Sequence, residues 1–139
     1  IILNQVSNPD APLAEWLIQD PQNKNKFFWS RTLLRRNIDI PKMGRDFIDL
    51  AFHVELKNGE YLVLKSENKL VNNPLQELLF YTKSYPVSRG LDHPNEISAY
   101  MFSEFFKSKY NSKEPFHEIN ESSKKNTRLF VEWIKTDMK

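Results

Sequence analysis

The feature that most constrains the fold is a change of period at Phe47. From there to Leu56 apolar residues alternate, with Leu50, Phe52, Val54 and Leu56 on one side and Asp49, His53 and Glu55 interrupting them. A period of two is the pattern of a strand with one buried face. Lys57-Asn58-Gly59 then supplies a turn and Tyr61-Leu62-Val63-Leu64-Lys65 a returning strand, so a β-hairpin is predicted at the centre of the chain.

The loop decides the hairpin's register. A two-residue loop, Asn58-Gly59, pairs Lys57 with Glu60, whereas a three-residue loop with Gly59 left-handed pairs Leu56 with Glu60. The three-residue loop keeps Leu50, Phe52, Val54 and Leu56 on one face with Leu62 and Leu64. The shorter loop splits that set, at roughly 1.5–3 kcal/mol for each large side chain left exposed. The three-residue loop is therefore expected.

That register sets Asp49 across from Glu67, with Lys69 two positions along on the same face. Two carboxylates beside an ammonium suit Mg²⁺ or Mn²⁺, which prefer oxygen ligands and water, and the backbone carbonyl of Asn68 offers a third ligand. The lysine would orient or help deprotonate a water, or offset charge on a phosphate. A solvated ion-pair cluster has the same spacing. His53 falls on the same face as Asp49, while His93 and His117 lie in loop-like segments.

Elsewhere the pattern reads as helical. Ser7-Asn8-Pro9-Asp10 starts a helix that stops near Asp20-Pro21, and a second runs from Phe27 to about Arg36. A third begins after Asn72-Asn73-Pro74 and passes through Leu75, Leu78, Leu79 and Tyr81. The stretch Arg89 to Pro94 is loop-like. Asn95 to Lys109 and the segment after Ser122 are helices, the latter with a buried stripe of Leu129, Phe130, Trp133 and Ile134. The sum is an α/β single domain over residues 1–139, in which the hairpin belongs to a larger mixed sheet flanked by helices. Residues 10–81 form its core and 82–139 a mainly helical part.

Composition removes several classes of chemistry. With no cysteine there are no disulfides, thiolate zinc sites or cysteine nucleophiles. Only three glycines are present, all isolated, so there is no phosphate loop, and no Ser/His/Asp arrangement has supporting context. No run of eighteen apolar residues or leader-like start occurs, so a soluble, cytoplasmic protein is expected. The net charge of +2 does not announce a nucleic-acid binder by itself. Lys24, Lys26, Arg31, Arg35 and Arg36 gather at the second helix, as phosphate contacts or as plain solvated surface. The aromatic residues, Trp29 among them, read mainly as core, and an exposed one would stack on a base.

The order Ile48-Asp49-Leu50, hairpin, Glu67-Asn68-Lys69-Leu70, then Gln76 with Tyr81 after it, resembles the PD-(D/E)XK nuclease superfamily. The nearest pattern is the bacterial and phage-type branch whose second strand ends in Glu-Asn-Lys. Leu13 to Pro21, followed by Phe27-Phe28 and Leu33-Leu34, is similar to that branch's opening helices, so the likeness spans Asp10 to Tyr81. It implies a restriction-endonuclease-like fold and divalent-metal-dependent cleavage of nucleic acid, DNA before RNA. Asp49 and Glu67 would be metal ligands, Lys69 the catalytic lysine and Gln76 a residue steadying the site. Asp10, or else Glu15, would be the acid on the first helix. Two copies would serve to cut two strands, though no residue calls for a homodimer. Two rivals share the sequence: a non-catalytic descendant of that fold, and a small α/β interaction module of immunity or antitoxin type.

Overall fold

The computed structural model describes residues 16–35, 39–42, 44–110 and 120–137 of the chain. It is a mixed α/β structure that divides into two compact units, Ile1–Glu77 and Leu78–Lys139. Among the described residues the first unit is β-rich and the second helical.

The strands of the first unit are β1 (Ile18–Asp20), β2 (Asn23–Leu34), β3 (Phe47–Lys57), β4 (Glu60–Val63), β5 (Lys65–Ser66), β6 (Lys69–Leu70) and β7 (Asn72–Pro74). The main sheet has the order β1-β2-β3-β4, with β7 also on β3, and β5-β6 form a separate two-stranded pair. Every pairing is antiparallel. A mixed sheet was expected, and no parallel pair occurs among the described residues.

Strand β3 is where the period placed it; β2 and the end of β1 are corrections. Asn23–Leu34 is one long strand instead of a helix from Phe27, and Ile18–Asp20 is extended instead of the end of a first helix. The reason is burial on both faces: Phe27, Phe28 and Ser30 are all buried. A strand covered on both sides loses its alternation and reads as an apolar run that periodicity cannot tell from a helix. The core of this unit is built from Phe27, Phe52 and Val54 on one face and Ile18, Phe28 and Ala51 on the other, with Leu75.

The hairpin register is also a correction. Lys57 pairs with Glu60, Leu56 with Tyr61, Glu55 with Leu62 and Val54 with Val63, which is the two-residue loop. Asn58 and Gly59 both have positive φ, 53° and 83°, as a primed turn needs, and Asn-Gly is the pair that adopts it most readily. The burial argument for the longer loop fails because Tyr61 and Val63 fill the apolar face, while Leu62, at 44% exposure, stays half in water. Turn chemistry then decides the register unopposed.

Beyond β4 the chain leaves the sheet edge and returns. Leu64 N–H donates to His53 O at 2.8 Å, His53 N–H to Val71 O at 2.9 Å, and Val71 N–H to Leu64 O at 3.0 Å. The neck of the β5-β6 hairpin is thus stitched to β3 at one residue. Asn72-Asn73-Pro74, predicted to open a helix, continues as β7 against Leu50 to Phe52. Leu75–Glu77 follows as a single 3₁₀ turn.

The second unit contains α1 (Leu79–Thr82), α2 (Pro94–Tyr110) and α3 (Glu121–Asp137). Helices α2 and α3 match the predicted segments. His93 caps α2, its Nδ1 accepting from Asn95 N–H at 3.2 Å, with Pro94 in the first turn. Asn120 and Ser123 cap α3 reciprocally, each side-chain oxygen taking the other's backbone N–H at 3.0 Å. The buried face of α3 is a correction: Ser123 and Thr127 are buried, whereas Leu129 and Trp133 are 53% and 48% exposed. Tyr81 is buried, donates to Leu91 O at 2.8 Å and meets Tyr85 edge-on. Burial, reinforced by Tyr85 and Asp92, raises its pKa well above the ordinary phenol value. No helix among the described residues is long and apolar enough to cross a membrane.

Candidate functional site

Cross-strand partners share a face, so the ladder of β2 with β3 sorts the chemistry of the first unit into two sets. One face carries Phe28, Ser30 and Thr32 opposite His53, Ala51 and Asp49. Asp49 and His53 therefore do share a face. Thr32 Oγ1 donates to Asp49 Oδ1 at 2.7 Å. Asn73 lies across from Ala51 on the other side. His53 Nε2 donates to its carbonyl oxygen at 2.6 Å, and the Asn73 amide donates to Glu77 Oε2 at 3.1 Å. The His53 and Phe28 rings meet edge to face, with centroids 5.1 Å apart. Between the two polar groups lies Ser30, whose hydroxyl is buried and has no hydrogen-bond partner among the described residues.

The expected partner of Asp49 is elsewhere. In the observed register Asp49 pairs with Thr32, and Glu67 and Asn68 form the tip of the β5-β6 hairpin, both with positive φ, 49° and 61°. Lys69 is exposed on β6 and Gln76 is exposed in the 3₁₀ turn. The cross-strand meeting of Asp49 with Glu67 is thus not formed. The neck of the tip hairpin is fixed at His53, four positions along β3 from Asp49. Asp10 and Glu15 fall outside the described residues. Among those described, no group of three or more His, Asp or Glu side chains is arranged to hold a metal ion. The acids expected to share Mg²⁺ or Mn²⁺ stand on different hairpins, and one of them already receives a hydroxyl.

The opposite face is aromatic. Phe27, Trp29 and Arg31 lie across from Val54, Phe52 and Leu50, and Tyr61 and Val63 extend the surface over β4. Trp16, Leu17, Trp29, Val54, Tyr61 and Val63 line a groove of about 540 Å³. Tyr61 is 55% exposed and meets the edge of Phe27 at 5.1 Å. The Arg31 guanidinium sits 3.9 Å from the centre of the Trp29 ring, close enough for a cation–π contact. The basic residues once read along a helix are distributed by the strand instead: Arg31 on this face, Lys26 on the other, 3.6 Å from Asp20 and 5.1 Å from the Phe28 ring.

This groove is what the sequence reading missed, because Trp29 was assigned to a helical core stripe. The alternation Phe27, Trp29, Arg31, Leu33 is the signal that would have found it. No protein-family model, curated protein or solved structure matches the chain.

Proposed function

We propose that the chain is a nucleic-acid-binding module that does not cut its ligand, and that it holds a single strand on the aromatic face of its sheet. The observation that carries this reading is that Trp29, on which Arg31 stacks, lines one groove with the exposed ring of Tyr61. Aromatic faces accept any base by stacking, and an arginine adds both cation–π attraction and a phosphate contact. The test is anisotropy of a labelled single-stranded oligonucleotide across a salt series. Binding that weakens with salt is expected, and Tyr61→Ala or Trp29→Ala should lose roughly 1–3 kcal/mol, about five- to 150-fold. Equal affinity of both variants and the parent would sink the proposal; Tyr61, being exposed, is the variant that leaves the core intact.

A second reading is a Mg²⁺- or Mn²⁺-dependent nuclease of DNA with a restriction-endonuclease-like fold. Besides the order Asp49, Glu67, Lys69, Gln76, one feature supports it: Glu67 keeps a left-handed backbone, φ 49°, which costs a side-chain-bearing residue about 1–2 kcal/mol and is a kind of strain that gathers at functional sites. Asp49, Glu67 and the Asn68 carbonyl would have to converge on one ion, and the register does not bring the two acids together, so no catalytic step is derived. Plasmid cleavage with Mn²⁺ or with a chelator, beside Glu67→Ala and Lys69→Ala, separates the readings. Metal-dependent cutting lost in both variants would establish the nuclease.

A further inference from the structure

The second unit has a cavity of its own, about 390 Å³, on the side of α2 facing the loop before it. That lies within the range of roughly 300–1,000 Å³ common for small-molecule sites. Its apolar lining includes Pro86 and Val87, both buried. The ring of Tyr100 makes a wall. Gly90 presses against that ring so closely that a Cβ there would stand 2.6 Å from Cδ2 and 2.7 Å from Cε2, and its φ of +65° also favours glycine.

The remaining lining is charged or hydroxylic. Lys107 is taken by Glu104 at 2.7 Å, but Arg89, exposed and beside Gly90, makes no ion pair or hydrogen bond among the described residues. The guanidinium of Arg89 presents a fork that matches phosphate oxygens. The Ser103 hydroxyl is a second donor, and Glu104 accepts from a hydroxyl or an amine.

We infer that this cavity binds a nucleotide, its phosphate on Arg89 and its ring against Tyr100. An inorganic anion would use the arginine alone and an uncharged ring Tyr100 alone, whereas a nucleotide uses both. A free nucleotide and the phosphorylated end of a strand present the same chemistry. The site lies wholly within the second unit and does not depend on the sheet groove.

The experiment is a ¹⁵N–¹H titration of the full chain with 5′-AMP, with adenosine, with inorganic phosphate, and with a 5′-phosphorylated oligothymidine. Saturable shifts at Arg89, Gly90, Tyr100 and Ser103 are expected for AMP or for the phosphorylated strand. Saturation by AMP identifies a free nucleotide, and saturation by the strand alone identifies an end-binding site. Adenosine and phosphate should each bind about tenfold more weakly or worse, and Arg89→Ala and Tyr100→Ala should each weaken binding about tenfold, with Tyr100→Phe near the parent. Trp29→Ala should leave the AMP titration unchanged while weakening the strand's shifts at the sheet groove, so loss of the sheet groove and loss of this site are told apart. No saturation by either nucleotide probe, or an unaltered midpoint in Arg89→Ala, would overturn the inference.

Discussion

The sheet of the first unit and helix α3 of the second bury different kinds of side chain. In the sheet unit large side chains are sequestered: Phe27, Phe28, Phe52 and Val54 are each no more than 8% exposed. In α3 of the helical unit the buried positions are Ser123 and Thr127, while Leu129 and Trp133 stand half in water. Both units bury apolar side chains, the helical one Leu78, Val87, Ile97 and Met101 among them, so the contrast lies in α3 itself. Helix α3 is fixed at its start by the reciprocal cap and buries the small side chains of Ser123 and Thr127. The difference teaches that an apolar stripe at helical spacing identifies a helix without identifying its buried side.

The largest test of this contrast is Phe52→Ala, which should cost about 3–5 kcal/mol in urea unfolding, since a large ring is removed from the centre of β3. Next is alkaline pH, which should act on the helical unit. Tyr81 has its pKa raised by burial, so the folded chain keeps a proton that the unfolded chain gives up above about pH 10. Stability is therefore fully present below that pH and falls as pH rises beyond it, by about 1.4 kcal/mol per pH unit for one such group. Helical circular dichroism against pH would show it, and Tyr81→Phe should flatten the decline.

Smaller effects compare the two turns inside the sheet unit. Gly59→Ala places a Cβ at φ 83° and should destabilise by about 1–2 kcal/mol. Glu67→Gly relieves a similar conformation at the other turn and should stabilise by roughly 0.5–1 kcal/mol, once the added freedom of the unfolded chain is subtracted. A loss of stability there would mean that Glu67 makes contacts worth more than its strain. The smallest effect is Trp133→Ala, within about 0.5 kcal/mol. A cost comparable to that of Phe52→Ala would break the contrast between the sheet core and α3.

The parts of the fold legible in the sequence were those with one kind of environment. Strand β3 alternates because its ends face water on one side, and α2 and α3 have turn residues before them. Strand β2 was not legible because Phe27 and Phe28 are buried on opposite faces. The register was misjudged for a related reason. The comparison of loops counted leucines to be buried, and it did not allow for a chain that departs from the edge at Leu64 and returns at Val71. For the site, the shared face of Asp49 and His53 followed from alternation alone. Whether Glu67 joined them depended on long-range register, which one extra residue in a loop reverses.

That departure and return has a consequence for how the chain can be altered. Because Leu64 and Val71 bond to each other and to both backbone groups of His53, the six residues between them form an appendix whose root closes without them. A cassette exchange at this point, such as Asn-Gly in place of residues 65–70, should leave the ladder of β3 intact, and foreign sequences grafted there would be displayed on a fixed stem. Related chains would be free to lengthen, shorten or lose this tip while the sheet beneath stayed the same.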